Sequence, residues 1–436
     1  MPKKLKLASA QSRTLSTTAD TLRALEQTAT SAAQQGIDLI LFPEAYLGGY
    51  PRTCTFGNAV GGRTVDGRDQ FLHYFHSAVD FGDTPAGAGD DWLNRKLPLP
   101  KNKKYRGDGT REELERIAQE TGVFIVTGIV ERVGGTLYCG AVYICPREGI
   151  LGKRRKVMPT GSERMIWGQG AASTLRAVTT EINGVRLCLA AAICWENYMP
   201  LLRQALYSQN VNLWLAPTAD ARDTWASLMR TVGCEGRCFV MSANQCLRRK
   251  NLPDWIKGNT PTSHGEAPTA GLAPLAFHST EPSHPHGERR RSTITITDDK
   301  HEICWPVIEK RDTAESIRNG DSAIDEESVS PGGANRPTSG VPSAVEHHRI
   351  SWPAFRTKSH AVDDEFVSRG GSCIMSPLGD VLAGPLWEVE DGGLLVVEVD
   401  FEDCERGRLD LDVAGSYSRM DSFHLTVDGL DLSPPP

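Results

Sequence analysis

The chain has 436 residues, with 48 lysines and arginines against 55 acidic residues, and its formal net charge of -7 leaves no basic excess to attract a nucleic-acid partner. No run of about 20 apolar residues is present to span a bilayer, and the apolar part of the opening MPKKLKLASAQ is too short and interrupted for a signal peptide, so the expected compartment is the cytoplasm. The 11 cysteines are scattered singly, odd in number and without a CxxC pair, which argues against a disulfide scaffold and fits reduced thiols.

Strand and helix patterns alternate along the chain. Residues 6–10 read as a first strand, and 18–35 as a helix with Leu22, Leu25, Ala29, Ala32 and Ala33 on one stripe and Gly36 as its stop. The apolar run 37–42 is a strand that ends at Pro43 and Glu44, and Gly48, Gly49 and Pro51 then turn the chain sharply. A helix over 110–120, with Leu114, Ile117 and Ala118 inward, precedes a strand at 123–130. GGTLYCG at 134–140 reads as a hairpin turn entering a strand at 137–145, after which GKRRKVMP at 152–159 carries a basic cluster into a turn over 160–164. The apolar run 185–193 delivers Cys194 to a polar rim; beyond it, helices at 199–208 and 224–234 alternate with strands at 211–216 and 237–243. Apolar strands separated by amphipathic helices predict an α/β fold with buried sheets, though the pattern does not say how many.

Glu44, the basic cluster around Lys156, and Cys194 thus sit at the edges of separate strands. Each has an ordinary explanation: a solvated loop acid, a wet charge run, a buried core thiol. Together they supply a reaction, because a thiol attacking an unsaturated carbon needs a base for its proton and a cation where negative charge develops. Eight of the 11 histidines fall between 264 and 360, leaving His73, His76 and His424 elsewhere, so a Cys-His dyad is poorly supplied. No carboxylate or cysteine completes a metal set with His73 and His76, and no glycine-rich phosphate loop follows a strand; neither a metal nor a cofactor is expected.

Residues 251–367 break the pattern. The tract is dense in Pro, Ser, Gly, His and charge, lacks helical periodicity, and reads as a largely disordered insertion, with strand-like content only at 292–308.

Several stretches carry a family resemblance: FPEAYLGGYPR (42–52), RKVMPTGSERMIWGQG (155–170), AAICWENYMPL (191–201), APTAD (216–220), EGRCFVMSANQ (235–245), GGSCIMSPLGDVLAGP (370–385) and GSYSRMDSFHLTVD (415–428). In these the chain resembles the nitrilase branch of the carbon-nitrogen hydrolase superfamily. The resemblance implies a four-layer α-β-β-α sandwich, with one hydrolase domain formed by 1–250 and 368–430, the insertion at 251–367, and a tail at 431–436. It assigns Glu44, Lys156 and Cys194 as the catalytic glutamate, lysine and cysteine, Glu163 as a second glutamate, and Tyr50 and Trp195 as substrate contacts. Lys156 is chosen over Lys153, Arg154 and Arg155 on family spacing to the Pro-Thr and Glu-Arg pairs that follow.

The implied reaction converts an organic nitrile, aromatic or arylaliphatic, and two waters into a carboxylic acid and ammonia through a cysteine thioimidate. The implied partners are the nitrile, water and copies of the chain, as homodimers stacked into helical oligomers. Trp195 and Glu196 look like the nitrilase branch, whereas amidase and carbamoylase branches place Tyr-Asp or Asp-Asp there. Cyanide hydratase, which shares the CWEN-type motif, amide-forming nitrile hydration, and a catalytically silent scaffold acting through the insertion are the alternatives. Cys54 and Thr55 depart from the family pattern after GGYPR, which leaves substrate size open.

Overall fold

In the first strand, Leu5 and Leu7 face one way and Ala8 and Ala10 the other, and a strand apolar on both faces needs cover on both. A computed structural model describes residues 4–59, 61–219, 222–257, 292–296, 302–306, 364–390 and 392–435. In chain order, β1 (Lys4–Gln11) leads to α1 (Thr18–Gln34), β2 (Leu39–Leu41), α2 (Val65–Ser77), α3 (Asp90–Leu93) and α4 (Thr110–Thr121). Next come β3 (Phe124–Val133), β4 (Thr136–Cys145), β5 (Gly149–Arg155), β6 (Val178–Ile182) and β7 (Val185–Ala191). They are followed by α5 (Pro200–Tyr207), β8 (Leu213–Thr218), α6 (Trp225–Gly236), β9 (Phe239–Asn244), β10 (Cys246–Arg248) and α7 (Asp254–Lys257). The hairpin of β11 (Ser292–Ile296) and β12 (Glu302–Pro306) belongs to a separate unit, and the main unit resumes with β13 (Phe366–Met375), β14 (Val381–Trp387), β15 (Gly393–Asp400) and α8 (Glu402–Gly407).

Two mixed sheets form the main unit, one in the order β15-β1-β2-β3-β4-β5 and one in the order β10-β13-β9-β8-β7-β6, with β14 paired to β13. At the centre of each, three consecutive strands run parallel: β1, β2 and β3 in the first, β7, β8 and β9 in the second. Their period-two alternation sets the layers. Leu7, Leu41 and Val126 of the first sheet meet Leu187, Leu215 and Met241 of the second in one shared core. On its other face the first sheet turns Ala8, Ile40 and Ile125 toward Leu25 and Ala29 of α1 and Leu114 and Ile117 of α4. The second sheet turns Ala190, Trp214 and Val240 toward Leu202 and Leu206 of α5 and Met229 and Val232 of α6. These three cores give the expected α-β-β-α sandwich. Leu25 is fully buried, and cutting it to alanine would cost about 2–5 kcal/mol.

Most elements lie where the sequence puts them, with instructive differences. The apolar run 185–193 stops being a strand at Ala191, because Cys194 takes a left-handed φ of +52° and opens a 3₁₀ turn over Cys194–Tyr198. Lys153, Arg154 and Arg155, to which the sequence pattern assigns no element, are strand residues of β5. The main unit also continues past residue 250, since Leu252 and Ile256 are buried with Leu247, and it resumes before 368, since Asp364 pairs with Lys250 and Glu365 with Arg249. The β11–β12 hairpin falls inside the strand-like 292–308; the expectation of disorder for the rest of the insertion lies outside the described residues. Among the described residues no helix is long and apolar enough to cross a membrane.

Candidate active site

The turn after β2 carries Glu44 into the space between the sheets. Its backbone passes so close to β3 that a side chain at Gly128 would overlap Pro43 and Glu44, with an ideal Cβ only 2.2 Å from the Pro43 carbonyl oxygen and 2.6 Å from Glu44 Cα. Gly128 N–H donates to that Pro43 carbonyl at 3.1 Å, and Gln245 Nε2 donates to the Glu44 carbonyl at 2.8 Å. Lys156 follows β5 directly. Its N–H donates to Cys139 O at 2.7 Å and its carbonyl accepts from Gly170 N at 2.8 Å, so the backbone on both sides of the ammonium is fixed.

Four side chains from separate segments converge here. Lys156 Nζ lies 2.8 Å from Glu44 Oε1 and 2.8 Å from Glu163 Oε2, and the lysine and Glu44 are fully buried. Glu163 sits in a capping box, accepting from Thr160 N at 2.8 Å, while its other oxygen accepts from Tyr50 OH at 2.8 Å. Cys194 is 3 % exposed, accepts from Thr218 Oγ1 at 2.9 Å, and lies near enough to Glu44 and Lys156 for both to shift its proton affinity. The next residue along from Thr218 matters too: Ala219 N donates to Glu44 Oε2 at 3.1 Å. Aromatic rings wall the cluster, with Trp167 5.6 Å from Lys156 Nζ and edge-on to Tyr50 at 5.5 Å.

The structure therefore brings Glu44, Lys156, Glu163, Cys194 and Tyr50 together. Trp195 is half-buried; its ring meets Tyr198 edge-on at 5.7 Å and carries the Arg222 guanidinium 4.9 Å from its centroid. Residues the sequence did not single out complete the surroundings: Thr218, Gln245, Trp167, and Cys139, whose thiol donates to Glu44 Oε1 at 3.5 Å. All but Cys139 fall inside the stretches that carry the family resemblance, and the position of Thr218 at the end of an apolar strand was the available signal.

Electrostatics follow from burial and an unequal charge count. Burial pushes the Glu44 carboxyl above the usual carboxylate range; the Lys156 ammonium opposes this and the Glu163 charge adds to it. Burial likewise drives the Cys194 thiol far above its ordinary value, with the Glu44 carboxylate adding and Lys156 opposing. For Lys156, burial alone would lower the value, but Glu44 and then the Cys194 and Cys139 sulfurs hold it well above normal, so it stays an ammonium. The cluster sets a thiol that burial keeps protonated beside a glutamate of raised proton affinity and a fixed cation.

Such a centre, between two sheets each backed by helices, can deliver a thiol to an electrophilic carbon with a base and a cation at hand. Residues 6–263 match the carbon-nitrogen hydrolase family, and the chain belongs to it. An arylacetonitrilase from Trametes versicolor is 33 % identical over 94 % of this chain and 91 % of its own length. An aliphatic nitrilase from Sinorhizobium fredii is 33 % identical over 91 % of this chain and 86 % of its own length. Among solved structures, a branch 10 member of the nitrilase superfamily from Saccharomyces cerevisiae has a TM-score of 0.50 at 13 % identity, covering 96 % of this chain and 97 % of that one; it speaks to the fold alone.

Proposed function

We propose that this protein is a nitrilase, hydrolysing an organic nitrile to a carboxylic acid and ammonia with Cys194 as nucleophile. The convergence of Glu44, Lys156 and Cys194 in one buried cluster carries the reading. Glu44 takes the thiol proton as Cys194 Sγ bonds to the nitrile carbon, and that proton is passed to the nitrile nitrogen, giving a neutral thioimidate. Proton transfer and attack are coupled, because a free thiolate is costly in this buried, net-negative setting. Lys156 stabilises negative charge as it builds on nitrogen. Glu44 then activates a water that adds to the thioimidate carbon; ammonia leaves, and the chain holds a thioester. A second water cleaves the thioester to release the acid and restore the thiol. Glu163 holds Lys156 in place, and Tyr50 and Trp195 contact the substrate's organic group.

Both an arylacetonitrilase and an aliphatic nitrilase stand at 33 % identity, so the substrate class is a matter for assay. The departure at Cys54 and Thr55 points the same way. Purified protein is incubated with aromatic, arylaliphatic and aliphatic nitriles and with cyanide, and ammonia, acid and amide are measured. Acid and ammonia in equal amounts, with aromatic or arylaliphatic nitriles preferred, is the expected result; no ammonia or amide from any substrate would sink the proposal. Homodimers stacked into helical oligomers in the cytoplasm belong to the same proposal, and size-exclusion chromatography checks the assembly.

A further inference from the structure

We infer that Glu196 is a positioning residue that holds Cys194 and Lys156 in mutual register across the two sheets, an inference that rests on the nucleophile assignment above. Glu196 is fully buried and uses both carboxylate oxygens. Oε1 accepts from Val157 N at 2.7 Å, Met158 N at 3.3 Å and an Arg154 guanidinium nitrogen at 2.7 Å, which are the residues flanking Lys156. Oε2 accepts from Ile193 N at 2.8 Å, the residue immediately before Cys194. A single carboxylate thus ties the lysine loop of the first sheet to the cysteine turn of the second. Arg154 reinforces the tie by donating also to Ala191 O at the end of β7.

Stability alone does not account for this pair. Burying two charges is costly, and apolar replacements of similar volume are often at least as stable. The compensation is also incomplete, since Arg154 Nε has no acceptor among the described residues. Geometry is what the pair supplies. The Cys194 turn needs such restraint because a non-glycine residue held at φ +52° is strained, and a strained turn relaxes unless its surroundings fix it. Asn197 fixes its far side, donating to Ala192 O and Cys194 O at 2.7 Å each; Glu196 fixes its entry and links it to Lys156.

Glu196→Gln tests this because it keeps shape but turns an amide N–H toward the Ile193 N–H, donor against donor. Turnover per active site falls about 100-fold with KM within about threefold, the scale of an ångström-sized misplacement. Cys194 alkylation by iodoacetamide, mapped by mass spectrometry, slows about tenfold at neutral pH, because the sulfur is less well placed against Glu44, which takes its proton, and Lys156. The alkylation reading needs no nitrile, so it stands even if the parent protein turns none over. Arg154→Met/Glu196→Gln removes the stranded charge as well: its thermal midpoint returns to near the parent's while turnover and alkylation stay low. Recovery of turnover together with stability in the double variant would show that Glu196 merely neutralises Arg154. The inference also falls if Glu196→Gln alkylates and turns over at parental rates, or if neither variant folds, since the pair would then be a folding requirement only.

Discussion

Two buried charge clusters branch from the same strand. On one face of β5, Lys153 and Arg155 meet Asp83 and Glu131, two cations against two carboxylates, with side chains between 0 % and 7 % exposed. Just past its end, Lys156 meets Glu44 and Glu163, one cation against two carboxylates and a thiol. In the balanced cluster the Asp83 carboxyl, which burial alone would raise, is held below its usual value by the Lys153 ammonium. In the unbalanced one burial wins, and Glu44 rises. The two carboxyls thus move in opposite directions, Glu44 upward through deeper burial and a cation it shares with Glu163, Asp83 downward beside a matched set of cations. A balanced set is a tie; a set short of one positive charge keeps a base ready to accept a proton.

The largest effect that would sharpen this contrast is Cys194→Ala, which removes the proposed nucleophile and should lower turnover by about 10⁴-fold or more. Circular dichroism should show an unchanged fold, since one sulfur atom is lost, together with its hydrogen bond from the Thr218 hydroxyl. Ammonia release at the parental rate would rule out a thiol mechanism. Glu44→Gln and Lys156→Arg come next, each lowering turnover by roughly 10²–10⁴-fold, because one removes the base and the other spoils the geometry of a cation wedged between two carboxylates. Mass spectrometry separates the steps: Glu44→Gln should accumulate no adduct on Cys194. Near-parental turnover by Glu44→Gln would move the base to Glu163.

A pH profile tests the same asymmetry without mutation. The proposed reaction needs Glu44 as a carboxylate, and its folded value lies above the ordinary 4.5, so protonation would remove the proposed base at a higher pH than for a solvated glutamate. The acid limb of kcat/KM should therefore have its midpoint above 4.5. A midpoint at or below it would mean that Lys156 outweighs burial. In the balanced cluster the outcome reverses. Glu131→Gln leaves Lys153 and Arg155 sharing Asp83 and should cost about 3–5 kcal/mol of stability in urea unfolding, with turnover per folded molecule within about twofold. A loss of turnover at unchanged stability would make that cluster part of the chemistry.

The contrast was only half legible in the sequence. Glu44 and Cys194 show themselves because each follows an apolar run, and the apolar runs of β1, β3 and β8 between amphipathic helices are enough for an α/β fold with buried sheets, the sandwich itself coming from the family resemblance. β5 hides its strand because its alternation is one of charges, with Lys153 and Arg155 on one face and Arg154 and Lys156 on the other, and a run of four cations normally means a wet surface. The carboxylates that make burial possible come from distant segments, Asp83 and Glu131 on one side and Glu44 and Glu196 on the other, which no local window contains. The left-handed turn at Cys194 is equally invisible, since such a φ is ordinarily announced by glycine. GLLVVEVD at 393–400 has a strand's composition, yet nothing local says that it pairs antiparallel with β1.

The smallest expected effect concerns the tract between the two matched stretches of the chain, which holds none of the candidate catalytic residues. Excising 255–365, which lies within the insertion read from the sequence, would cut into the main unit. Trp255 stacks on Tyr74 at 4.8 Å, Tyr74 OH accepts from Trp167 Nε1 at 2.9 Å, and Trp167 faces Lys156, so α7 lies three contacts from the Lys156 ammonium. On the return side, Asp364 pairs with Lys250 at 2.8 Å and Arg249 N donates to Glu365 O at 2.8 Å, which brings the two ends of the excursion to one place. Removal of 258–363 with a short linker should therefore leave turnover within about twofold, because closure cost changes only slowly with loop length. A deletion from 255 should do worse, since it strips the Trp255 ring from Tyr74. If the shorter deletion folds, keeps its oligomeric state on size exclusion and yet turns over no nitrile, residues within 258–363 contribute to the active site, and the separation drawn between the two regions fails.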